Sequence, residues 1–194
     1  MTKIIVKQIE EQPISKIQVF NDIAYGSYFK DSSKPTIEER INLVSKWQDI
    51  KPLEVEKMHI KTINELVHHI LIIVSSYKSK PPRERISNLT HRTDYLSFSA
   101  GHWKHIETID FNSKPSYFMA LFYIEEGLNY GHEKKVGRHI EVVNTVKDRA
   151  NVITNNSNLS ELIDLLSFFL NISQLLKSNS VLNLKRKQAR KKRM

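Results

Sequence analysis

Along this chain, hydrophobic positions recur at helical spacing in more stretches than they alternate. From Ile14 to about Phe29 apolar residues fall at 17, 20, 23/24 and 28, which predicts a helix. Thr36-Ile-Glu-Glu39 is a capping box, its hydroxyl and carboxylate placed to satisfy exposed amides at a helix start, and Ile37, Ile41, Val44 and Trp47 or Gln48 continue its inner face. Thr62-Ile-Asn-Glu65 repeats the device and predicts a second such start, with a helix to about Tyr77. Between them, Pro52 and LEVEKMHI predict a bend and a brief helical turn. The strongest helix signal is LSELIDLLSFFLNISQLL (159–176), opened by Asn158 or Ser157, in which Leu159, Leu162/Ile163, Leu166, Phe169/Leu170 and Ile172 to Leu176 give a broad apolar face.

After Lys114-Pro115-Ser116, the segment YFMALFYIEEG is apolar on nearly every side for two turns, so it predicts a buried helix stopped by Gly127. A helix from about Arg138 to Ala150 and an NNSN turn follow. Extended structure is predicted in two places. KIIVKQI (3–9) reads as a strand at a sheet edge, and TDYLSFSAGHWKHIETIDF (93–111) shows patches of alternation that suit one or two strands. KDSSKP (30–35) and the Gly-flanked NYGHEKKVG (129–137) read as loops, and KSKPPRER (78–85), whose prolines cannot sit inside a helix, as a boundary. The expected architecture is mainly α with a small β element: a compact, bundle-like body of two lobes, 1–80 and 81–180, followed by a basic tail, 181–194.

Composition narrows this little: 194 residues, 40% apolar and 26% charged, describe an ordinary globular protein with enough chain to bury a core. Charge placement changes the picture more. The net charge is +9, and Lys185, Arg186, Lys187, Arg190, Lys191, Lys192 and Arg193 supply seven of it, leaving +2 for residues 1–184. The sequence therefore carries a local basic appendage on a nearly neutral body. Those seven cations could contact phosphates and release counterions, or dock on an acidic protein surface; no aromatics are interleaved to stack bases. There is no cysteine, which excludes disulfides and thiolate chemistry. MTKIIVKQIEEQ has too short an apolar run for a signal peptide, and no window approaches the ~20 apolar residues of a membrane span. The expected location is a virion or a host cytoplasm.

Candidate chemistry is sparse. His102, His105, His132 and His139 could in number hold a metal, but an extended segment would point an i,i+3 pair to opposite faces, so ordinary histidines are the plainer reading. In the pair His68-His69 one ring is expected at the core edge. Asp110 with Glu133-x-Lys135 has the letters of a metal-dependent nuclease, although Glu-x-Lys is there expected in a loop rather than on a strand. Tyr117, Phe118, Phe122 and Tyr123, like Trp47 and Trp103, read as packing residues. Neither a nucleophile elbow nor a Gly-rich phosphate loop is present. No cofactor is expected.

In style, the capped helices TIEERINLVSKW and TINELVHHILIIV, the apolar YFMALFYIEEGLNYG and the basic end resemble small virion or tail-assembly proteins of large tailed bacteriophages. The Ile-, Lys- and Asn-rich composition is similar to that of phages of Bacteroidetes hosts, the crAss-like group included. The resemblance implies a non-enzymatic role in head–tail or tail assembly, or a packaged protein. Its partners would be other virion or assembly proteins in a homo- or hetero-oligomer, with nonspecific nucleic acid at the tail. A nucleic-acid-binding accessory protein is the alternative and a metal-dependent nuclease the remote one.

Overall fold

The computed structural model describes residues 5–31, 34–94, 98–125, 133–136, 139–142 and 146–171, the backbone alone for 133–142. It is mainly helical, with a small antiparallel sheet. The predicted strand at 3–9 does not form among the residues described there. Residues 5–8 carry no regular secondary structure, and side chains of α2 (Ile37–Gln48) bond their backbone where a neighbouring strand would. Gln48 accepts from the Lys7 amide (3.1 Å) and donates to the Ile5 carbonyl (3.0 Å), while the Trp47 indole donates to the Lys7 carbonyl (3.0 Å). Backbone groups need partners, and here side-chain groups supply them.

A 3₁₀ turn, Ile14–Lys16, leads into α1 (Ile17–Ala24), shorter than the helix expected to 29. α2 starts at the predicted capping box: Thr36 Oγ1 accepts from the Glu39 amide and Glu39 from the Thr36 amide (2.7 Å). It ends at Asp49 in the left-handed region (φ 56°). The brief turn after Lys51 is α3 (Pro52–Glu56). α4 (Ile60–Ser76) begins before the second expected box: His59 is its cap, accepting from the Lys61 amide, and Thr62 lies in the first turn. Ile63, Leu66, Val67, Ile70 and Val74 form its buried stripe.

β1 (Arg85–Ile86) and β2 (Leu89–His91) form a hairpin, and β2 pairs with β3 (Tyr123–Glu125) with His91 opposite Tyr123. The strands expected within 93–111 are replaced by α5 (Ala100–Thr108), capped by the Ser99 hydroxyl on the His102 amide. The apolar run after Lys114 splits: α6 (Pro115–Ala120) ends early and the chain extends into β3. The 129–137 loop and the helix from 138 are likewise corrected. β4 (Glu133–Val136) and β5 (His139–Val142) pair antiparallel, and α7 (Val146–Asn156) starts later than expected. The period-2 alternation of HIEV is that of a strand.

Helix α8 spans 159–171 of the described residues. Asn158 caps it, accepting from the Glu161 amide while Glu161 accepts from the Asn158 amide. The N-terminal segment ties to this start through a Pro13–Asn158 bridge and the Leu159 amide on the Gln12 carbonyl (2.8 Å). One cluster of buried residues joins Trp47, Ile70, Leu89, Phe122, Ile153 and Leu162.

Candidate functional site

Two adjoining concavities open beside α8. The larger, about 590 Å³, lies between α1, α4 and α8 and is lined by Phe20, Ile23, His68, Leu71 and Ile72 among others. The smaller, about 400 Å³, lies between α1, α5, α6 and α8, with Ile106, Phe118, Leu166 and Phe169 in its wall. Phe20, Ile163 and Ser167 line both, so the two share a wall and together make up a largely apolar groove of two compartments. Exposed Ile72 (46%) and Leu170 (53%) border it, as does exposed Tyr25. The reason lies in the helices: α4 and α8 each carry apolar residues outside their fully buried stripe, Leu71 and Ile72 on one, Leu166 and Leu170 on the other.

One end of the groove is fixed by a polar clamp that sequence reading missed. The Asp164 carboxylate, 7% exposed, accepts from the Tyr77 hydroxyl (2.9 Å) and from the Lys80 amide (2.8 Å). Arg83 pairs with Glu161 (2.7 Å), and its carbonyl accepts from the Tyr123 hydroxyl (2.7 Å). These bonds hold residues 77–83, which overlap the stretch 78–85 read as a boundary, against α8 and β3. Burial raises the Asp164 carboxyl above the ordinary carboxylate range, opposed by the Lys80 amide and Tyr77 hydroxyl. Burial, and the Asp164 charge beside it, likewise push the Tyr77 phenol well up. The signal was available: an acid inside LIDLL has to find partners.

The histidines separate by environment. His102 and His105 share a helix rather than an extended segment, yet only His102 is buried; its Nε2 lies 2.7 Å from the Leu121 carbonyl and its ring stacks on Phe98 at 3.9 Å. Burial, with Arg92 and Arg149 nearby, depresses its pKa to about 4. His91, buried against Tyr123 and Phe168, is also lowered to about 4 by burial. His68 and His69 are both exposed, so neither sits at the core edge as expected, although His68 lines the groove. His132 is outside the described residues, and for His139 only the place on β5 is described. No group of three metal-binding side chains occurs among the described residues.

Glu133 and Lys135 lie on strand β4, which corrects the loop expected for them; their side chains are outside the description. Asp110 is exposed and caps its own turn, accepting from the Asn112 amide (3.0 Å). Hydrogen bonds from the Ser113 hydroxyl and the Asn112 amide lower its carboxyl. Phe118, Phe122, Tyr123 and Trp47 are buried as packing residues, and Trp103 packs against Phe98 and Phe169. Arg149, 1% exposed, was not anticipated: its Nε donates to the Ala120 carbonyl (3.0 Å), tying α7 to α6. Lys185, Arg186, Lys187, Arg190, Lys191, Lys192 and Arg193 lie outside the described residues. No described helix is long and apolar enough to cross a membrane. Compared with family models, curated proteins and solved structures, the chain finds no match.

Proposed function

We propose that this chain is a non-enzymatic structural or assembly protein of a tailed-phage particle, a head–tail or tail component, assembly chaperone or packaged protein. It acts through protein–protein contacts, with Lys185 to Arg193 touching DNA or an acidic neighbour. The observation that carries the reading is the open apolar groove between α1, α4 and α8, with Ile72 and Leu170 exposed on its border. Exposed apolar surface of this kind, on a body of net charge near zero, suits association with another protein. The resemblance in helix style and basic end supplies the phage setting.

The test is assembly. Light scattering and cross-linking of the chain with co-expressed virion proteins are expected to give a defined complex that Ile72→Asp weakens at least about tenfold, since a charge must then be desolvated in the contact. A chain that stays monomeric and uncross-linked removes the reading.

The concentration of seven cations in ten residues favours a second reading, a nucleic-acid-binding accessory protein. It is tested by comparing the full chain with one ending at Leu184 across a salt series; no affinity in either at low salt ends it. The strand setting of Glu133 and Lys135 is the observation that bears on the nuclease alternative, which incubation of DNA with magnesium or manganese tests directly.

A further inference from the structure

We propose that the smaller compartment of the groove is a binding site for a small amphiphilic cation, an amine with an aliphatic or aromatic body. At about 400 Å³ it falls within the size range of small-ligand sites, and its wall is aliphatic and aromatic with few polar groups, as such sites are. Phe20, Ile106, Phe118, Leu166 and Phe169 supply the apolar surface, and Phe118 and Phe169 meet edge to face at 6.1 Å.

The polar residues select the charge of the ligand. Glu107 is the one charged side chain among the described lining residues, and no ion pair engages it among them. Asn21, also in the wall, is held by donating its amide to Asn112 (2.9 Å), which fixes its carbonyl oxygen as an acceptor. Tyr25, highly exposed, adds an aromatic ring to the same wall, a residue type that attracts cations. All three border one compartment, and the group they suit is an ammonium, which has three donors and no acceptor. A carboxylate ligand would meet Glu107 as a like charge.

Calorimetric titration of the full chain with n-octylamine, n-octanol and octanoate tests this at one ionic strength. The net charge of +9 would draw octanoate by nonspecific attraction, so a preference for the amine has to come from the site. The expected result is saturable one-site binding of octylamine, at least about tenfold tighter than octanoate. Glu107→Gln, an exposed substitution, brings the amine to within about twofold of octanol. Leu166→Trp or Ile106→Trp, each filling the cavity, abolishes saturation, with thermal unfolding confirming that at least one of them folds. No saturable amine binding, octanoate as tight as octylamine, an amine preference unchanged by Glu107→Gln, or binding that survives a folded cavity-filling variant each overturns the proposal.

Discussion

Asp164 occupies an apolar position of α8, and the two hydrogen bonds it accepts are what make an acid tolerable there. Asp164→Ala removes the acceptor of the Lys80 amide and leaves the Tyr77 hydroxyl only the longer bond to the Ser160 carbonyl (3.4 Å), so it is expected to cost about 1–3 kcal/mol in urea unfolding. Asp164→Asn keeps an acceptor and costs less. The pH dependence has a definite sign. The folded carboxyl is raised, so its contribution to stability is complete at acid pH and is lost as pH rises through the folded value. Stability of Asp164→Asn relative to the wild type is therefore expected to improve from about pH 3 to pH 7; a flat difference would contradict the assignment.

The buried histidines act in the opposite direction. The pKa values of His91 and His102 are depressed to about 4, so the neutral rings contribute fully above their ordinary value near 6.5 and lose that contribution as pH falls toward 4. Allowing for partial solvent screening, each accounts for about 2 kcal/mol over that window. His102→Gln is less stable than the wild type at pH 7, and the gap narrows by about that amount by pH 4, read from unfolding midpoints. A gap independent of pH would show that the His102 pKa does not change on folding, contrary to the depression assigned to it.

At the scale of elements, caps separate true helix starts from their look-alikes. Thr36→Ala and Asn158→Ala each remove a side-chain acceptor at an N-terminus and are expected to cost about 1 kcal/mol. Thr62→Ala, inside the first turn of α4, stays within about 0.5 kcal/mol, since His59 is the cap there. Chemical unfolding of the three variants side by side checks the contrast. The same detail explains how legible the chain was. α2 and the start of α8 were readable because cap and stripe agree. α5 was hidden because, of its two buried positions, His102 and Ile106, one is a histidine where the pattern wants a hydrophobe. β3 was hidden inside a run apolar on every side, for which helix and strand look alike. KIIVKQI (3–9) read as a strand, and the partners of its described backbone at Ile5 and Lys7 turned out to be Gln48 and Trp47 rather than another strand. The groove was not readable at all, since no local spacing says that Phe20 stands between the concavity of Ile72 and that of Leu166.

For the whole molecule, charge and apolar surface are separated along the chain: a nearly neutral body with a groove, and seven cations after Leu184. If all seven contact duplex phosphates, the log–log salt slope of DNA binding is about −6, and a chain ending at Leu184 loses essentially all of it. Retained affinity after that truncation would place the contact on the body instead. The groove and the tail then make separable predictions about assembly. Quantitative mass spectrometry of purified phage particles tests the central claim most directly, with the wild-type chain, Ile72→Asp and the chain ending at Leu184 each expressed during infection. The account predicts the wild type in the particle at a fixed copy number, Ile72→Asp depleted at least about tenfold, and the truncated chain still incorporated through the groove. A wild-type chain absent from particles, or an Ile72→Asp chain incorporated as fully as the wild type, would contradict it.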